Sequence, residues 1–223
     1  MKVIITGASG MVGKGVLLEC LDSPHIDKVL AIGRSETGIS NEKLSEIKHG
    51  DFTDIAAIQD ELQGYDACFY CMGISATGLK EADYTRLTYD YALSLANTLY
   101  SLNPAMTFNY VSGQGTDSSE QGRAMWARVK GKTENDIMAL GFQQCYMFRP
   151  GFIIPLRGIT SKTKLYQFFY DYLMWLIKLI KILAPKSVVN TTNIGLAMIN
   201  ASTKGYQKAI IDPKDILILA DQE

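Results

Sequence analysis

Apolar and polar positions along this chain fall into short blocks that switch between the strand period and the helix period. Val3-Ile4-Ile5 predicts a first strand over 3–6, and Val16, Leu17, Leu18 and Leu21 predict a helix over 13–21. Further strands are expected over 28–32, 46–49, 66–72, 107–111 and 145–148, with helices near 54–62 and over 81–102 and 124–140. Pro104 follows the long helix, where a chain must stop being helical. After Pro185 a helix is expected over 192–201 and a late strand over 209–211. Strands alternating with helices give a parallel sheet covered on both faces. The expected fold class is therefore α/β, a doubly wound parallel sheet. Its small helix-rich C-terminal part, about 152–223, is expected to cover the substrate side of one domain spanning 1–223. No internal repeat or low-complexity tract interrupts this order.

Residues 161–186 break the rhythm. Leu165, Phe168, Phe169, Tyr172, Leu176, Leu179, Ile180 and Leu183 recur at helical spacing and form a wide apolar arc. Asp171, Lys178 and Lys181 argue against a membrane span. The arc fits a helix packed on the domain, a face for a homodimer, or, less well, an interfacial helix contacting a membrane through 165–183.

Charge changes the picture by exclusion. With 22 basic and 23 acidic residues there is no global field to gather nucleic acid, so no nucleic-acid partner is expected. Met1-Lys2 runs straight into the first strand without the charged and apolar regions of a secretion signal, which leads to an expectation of a cytoplasmic protein. Four scattered cysteines are too few for a disulfide framework, and Cys68-x-x-Cys71 lies in a strand pattern, where residues three apart face opposite ways. No metal site is expected.

The candidate chemistry begins at Thr6-Gly7-Ala8-Ser9-Gly10-Met11-Val12-Gly13, between the first strand and the first helix. A glycine-rich strand-to-helix turn lets backbone approach a pyrophosphate, and the new helix offers free N–H groups and its positive dipole end. Gly7, Ser9, Gly10, Met11, Val12 and Gly13 are the expected cradle of a dinucleotide, although the spacing is G-x-x-G-x-x-G rather than G-x-G-x-x-G. The end of the second strand should meet the adenine ribose. There an acid selects the 2′-hydroxyl, whereas a cation accommodates a 2′-phosphate. This chain has Gly33-Arg34-Ser35, which favours NADP over NAD, the alternative being that Arg34 is a solvated surface residue. Asp51 and Phe52 are expected as the adenine-side wall, with Asp51 either accepting from the adenine amino group or capping the following helix. Cys71, Met72 and Gly73 should run along the cofactor's phosphates and ribose.

Together with Ser112 and Val129-Lys130-Gly131-Lys132-Thr133-Glu134, these motifs resemble the short-chain dehydrogenase/reductase superfamily of Rossmann proteins. Within it, the chain is similar to the atypical NmrA-like and nucleoside-diphosphate-sugar epimerase-like branch, over residues 1 to about 157. The resemblance implies a Ser-Tyr-Lys set: Ser orients the substrate carbonyl, Tyr moves its proton, and Lys holds the nicotinamide ribose and lowers the Tyr pKa. Ser112 and Lys130 match. Four residues before Lys130 stands Trp126, and an indole N–H donates a hydrogen bond without titrating. Tyr70, Tyr84, Tyr89 and Tyr110 are the candidate replacements, with Tyr70 and Tyr110 in strand patterns that suit core positions. The resemblance also sets Arg149-Pro150-Gly151 beside the nicotinamide, with Pro150 on the cofactor. Arg149 would either anchor a substrate anion or pair with an internal acid. The expected function is NADP(H)-dependent oxidation, reduction or epimerisation of a small carbonyl or hydroxyl compound, the alternative being a catalytically silent NADP(H)-binding regulator.

Overall fold

The computed structural model describes residues 1–159 and 187–222. The proposed apolar helix of 165–183 lies outside the described residues. The strands are β1 (Lys2–Thr6), β2 (Lys28–Gly33), β3 (Leu44–Lys48), β4 (Ala67–Tyr70), β5 (Thr107–Val111), β6 (Gln144–Phe148), β7 (Phe152–Ile154), β8 (Val188–Asn190) and β9 (Ile210–Ile211). The α-helices are α1 (Met11–Asp22), α2 (Glu81–Thr85), α3 (Tyr91–Leu102), α4 (Met125–Ala139), α5 (Thr191–Lys204) and α6 (Pro213–Ala220).

Seven strands form one sheet in the order β3-β2-β1-β4-β5-β6-β9, and every pairing in it is parallel. β1 pairs with β2 on one side and β4 on the other, so the chain order reverses at β1 and opens a crevice at the carboxyl ends of β1 and β4. Alternation along each strand divides the core in two. Val3, Ile5, Val29, Ala31, Phe69 and Phe148 face α1 and α5, while Ile4, Leu30, Cys68, Tyr70, Phe108 and Met147 face α3 and α4. Burial on both sides explains why the strands read as continuous apolar runs.

The segment near 54–62 is a 3₁₀ helix, Ile55–Leu62, which buries Ile55, Ile58 and Leu62. The expected 81–102 helix is interrupted by a π-helical turn, Arg86–Asp90, between α2 and α3. β7 and β8 form a separate two-stranded parallel sheet that the sequence pattern does not announce. The described C-terminal elements join the main body of the fold. β9 completes the main sheet, and α5 and α6 bury Ile194, Met198, Ile199, Ile216 and Leu219 in the α1-side core. Two glycines permit this approach: a Cβ on Gly15 would lie 2.4 Å from the Thr191 side chain, and one on Gly195 would lie 2.7 Å from that of Glu19.

Candidate active site

The turn between β1 and α1 is built for close approach. Gly7 has φ +69°, in the region that favours glycine, and a Cβ there would lie 2.8 Å from the backbone of Cys71 and Met72. A Cβ on Gly13 would meet the Gly7 carbonyl oxygen at 2.2 Å, so the turn folds directly onto the first turn of α1. The Gly10 amide donates to the Gly7 carbonyl at 2.9 Å. Gly10 caps α1 without a side-chain hydrogen bond, and no acid lies in the first helical turn. The positive end of the dipole is thus left uncompensated beside Ser9, Met11 and Val12, which are partly exposed there. These features fit a nucleotide pyrophosphate, which would be held by the glycine turn and the α1 amides.

The neighbouring strand ends close around the same crevice. The Met72 amide donates to Thr6 Oγ1 at 3.3 Å and the Cys71 amide to the Thr6 carbonyl at 3.3 Å, which ties the end of β4 to the end of β1. Gly73 is exposed, with nothing within 4 Å of the place a Cβ would take. Beyond β2, Arg34 and Ser35 are exposed; the Arg34 side chain lies over Gly50, its Cγ 3.4 Å from where a Cβ there would be. Arg34 makes no ion pair among the described residues. Asp51 Oδ1 accepts from the Thr53 amide at 3.1 Å and the Thr53 hydroxyl at 2.7 Å, and these bonds hold its carboxyl below the usual range. The Asp51 carboxylate therefore closes its own turn through Oδ1 and makes no side-chain cap on the 3₁₀ helix. Phe52, expected with Asp51 on the adenine side, turns its ring into the core. Its ring is fully buried, with its centroid 5.8 Å from that of Tyr91 and 5.7 Å from that of His49, because an apolar ring at this position completes the α3-side core.

The catalytic candidates gather on β5 and α4. Lys130 Nζ donates to the Ser112 carbonyl. Burial pushes its pKa down to about 8, opposed by the Glu134 charge. Trp126, in the first turn of α4, lays the edge of its ring against Gly115: Cη2 is 3.3 Å from where a Cβ would stand. Ser112 sits differently from the expected substrate-orienting group. It is 7% exposed, and its hydroxyl donates inward to Glu134 Oε1, with the Phe148 carbonyl 3.2 Å away. Glu134 is fully buried and forms an ion pair with Arg149, whose Nε lies 3.1 Å from Oε1 and whose Nη2 also reaches Ser118 Oγ at 2.6 Å. Arg149 thus has an internal partner. The need to satisfy a buried carboxylate draws both the guanidinium and the serine proton into the interior.

None of the four candidate tyrosines presents a free phenol beside Lys130 among the described residues. Tyr70 and Tyr110 are core side chains whose phenols burial pushes well up, and Tyr84 is buried and raised for the same reason. The Tyr89 hydroxyl donates to Asp136 at 2.6 Å on the outer side of α4, which raises its pKa. Pro150 is buried, and its carbonyl accepts from the Gln114 amide at 2.9 Å. Glu134 is the member of this site that sequence reasoning did not single out. The available clue was an acid at helical spacing from Ala127 and Gly131, both on the buried face of α4. Cys68 faces the α3-side core while Cys71 packs against the α1-side core. Among the described residues no cluster has the make-up of a metal site.

A profile of the NAD dependent epimerase/dehydratase family matches residues 3–118, which include the glycine turn, β4 and Ser112. The chain belongs to the NAD dependent epimerase/dehydratase family. Among its relatives, protein HTATIP2 of Rattus norvegicus is 30% identical over 155 residues, 69% of this chain and 63% of the rat protein. The match thus spans less than two thirds of that relative. The mitochondrial protein FMP52-1 of Scheffersomyces stipitis is 27% identical over 73% of this chain and 71% of its own length. In three dimensions the chain is similar to the Bordetella bronchiseptica enzyme WbmF in complex with NAD+ and UDP. The TM-score is 0.71 at 14% identity, covering 98% of this chain and 75% of that one. It is also similar to the UDP-N-acetylglucosamine 4-epimerase of Methanobrevibacter ruminantium, with a TM-score of 0.69 at 17% identity, covering 95% and 75%. The family and its neighbours make this a nicotinamide-dinucleotide-binding fold of the Rossmann type, related to oxidoreductases and epimerases. The expectation of a cytoplasmic protein is corrected here: several fungal relatives carry the word mitochondrial in their names, and the opening of the chain does not decide the compartment.

Proposed function

We propose that this protein binds NADP(H) and acts as an oxidoreductase or epimerase-like enzyme on a small carbonyl or hydroxyl compound. The observation that carries the reading is the open glycine cradle together with an exposed Arg34 at the end of β2, which lies over Gly50 and makes no ion pair among the described residues. When bound, the nicotinamide would supply hydride chemistry. Gly7, Gly10 and Gly13 bring backbone to the pyrophosphate, and Arg34 with Ser35 offers donors to the 2′-phosphate. Lys130 presents its remaining N–H groups to the nicotinamide ribose while Ser112 fixes the amine through its carbonyl. Trp126 walls the same side through its contact with Gly115. The test is a fluorescence titration of the protein with NADPH and NADH. Tight NADPH binding with weak NADH binding is the expected result, and equal affinity for the two would remove the role given to Arg34.

One observation favours a second reading, a nucleotide-binding regulator without turnover: Trp126 cannot shuttle a proton, and the Ser112 proton is committed to Glu134. Trp126→Tyr separates the two. An enzyme that turns over its substrate with Trp126 in place shows NADPH oxidation in the unaltered protein. A regulator that has lost only the proton donor shows it in the variant alone.

A further inference from the structure

The Ser112 hydroxyl is turned inward, away from the place it was expected to fill at the carboxyl edge. Ser112 has one proton, which goes to Glu134, and that carboxylate is held in turn by Arg149 in a buried pair. Freeing the serine would leave a buried charge short of a partner. Two residues on, Gln114 is exposed, and its side chain makes no hydrogen bond among the described residues. The backbone around it is fixed. Its amide donates to the Pro150 carbonyl at 2.9 Å, and it stands between Gly113 at φ +150° and Gly115 at φ +88°. Its Oε1 lies over Gly151, 2.6 Å from where a Cβ would be, so the absence of a side chain at 151 gives the amide its room. Lys130 Nζ, on the Ser112 carbonyl, and the Trp126 ring, on Gly115, flank the same four-residue turn.

We infer that Gln114 is the polar side chain that meets the nicotinamide end of the bound dinucleotide and the reacting oxygen of the substrate, in the place expected for Ser112. The inference rests on the nucleotide binding proposed above. A primary amide brings two donors and an acceptor oxygen where a serine hydroxyl brings one donor and an acceptor oxygen, and beside the Lys130 amine it makes a donor-rich corner. Such a corner takes an acceptor oxygen, a carbonyl or carboxylate, in preference to a group that must be deprotonated.

The test is a nitrogen–proton correlation spectrum of the full chain, with the Gln114 side-chain amide pair assigned by its loss in Gln114→Ala. NADPH should move both this pair and the backbone amides of the glycine turn. The 2′-phosphorylated ADP-ribose, which lacks nicotinamide, should move the turn amides and leave the Gln114 pair in place. Movement of the turn with NADPH while the Gln114 pair stays fixed overturns the inference and keeps the nucleotide reading. No movement with either compound overturns both. Gln114→Glu adds a second readout: a carboxylate beside the positively charged oxidised ring should shift preference several-fold toward NADP+ over NADPH, and an unchanged ratio speaks against the contact.

Discussion

Two charged side chains, one partly and one fully buried, set the behaviour of individual residues at this site. Lys130 is held by the Ser112 carbonyl, with burial bringing its pKa down to about 8. Below that pH the side chain is an ammonium that attracts an anionic nucleotide; above it the charge is lost. Affinity for NADPH should therefore fall as pH rises through about 8, and Lys130→Arg, which stays charged, should remove that step. Titrations at a series of pH values read this directly, and a wild-type profile that stays flat across pH 8 counts against Lys130 as a cofactor ligand. Glu134 has a structural task. Its carboxylate binds Arg149 and the Ser112 hydroxyl at full burial, so Glu134→Ala strands a guanidinium and should cost about 3–5 kcal/mol in denaturant unfolding. Glu134→Gln keeps an acceptor for Ser112 and should cost less. Equal losses for the two would mean that volume, rather than charge, is what the position requires.

At the scale of elements, the glycine turn makes a sharp contrast testable. Gly13 has the Gly7 carbonyl 2.2 Å from where a Cβ would stand, whereas Gly73, at the end of β4, has open space. Gly13→Ala should push α1 away from the turn and abolish NADPH binding, while Gly73→Ala should fold normally and lose affinity only if the nucleotide passes there. Circular dichroism separates loss of fold from loss of binding in each variant. The same turn was legible in the sequence because its chemistry is local: a strand, glycines at fixed spacing and a helix are adjacent in the chain. β5 was legible at its full length, Thr107–Val111, because Phe108 and Tyr110 on one face alternate with residues on the other. What escaped were features set by distant partners. The π-helical turn at Arg86–Asp90 lies inside an uninterrupted helical pattern. β7 and β8 are three-residue strands that exist only because they pair with each other across a long stretch of chain. Ser112 matched a motif, but its orientation depends on Glu134 and Arg149, which come from α4 and the end of β6.

Across the whole molecule, the cradle depends on the far end of the chain. α1 carries the amides proposed to hold the nucleotide, and it packs on α5 through Gly15 against Thr191 and Gly195 against Glu19. Thr192 Oγ1 also donates to Glu19 Oε1 at 2.9 Å, and Arg157 joins the same carboxylate at 3.2 Å. Ile194, Met198, Ile199, Ile211, Ile216 and Leu219 are buried in this half of the core at 2% exposure or less. At roughly 1.5–3 kcal/mol for each side chain, their removal costs on the order of 10 kcal/mol, comparable to the whole stability of an ordinary domain. A chain ended after residue 159 should therefore lack a cooperative thermal transition and bind no nucleotide; a detachable C-terminal cover would leave both intact. Gly195→Val is the finer probe, because it strains one contact and leaves the chain whole. Its Cβ would fall 2.7 Å from the Glu19 side chain and 3.3 Å from the Val16 backbone, so α1 and α5 must separate. The melting temperature and the NADPH affinity should then fall together, although residue 195 meets α1 at Val16 and Glu19, beyond the glycines of the cradle. A variant that melts early but binds NADPH as tightly as the unaltered protein would mean that β1 and β4 position the turn without help from α5.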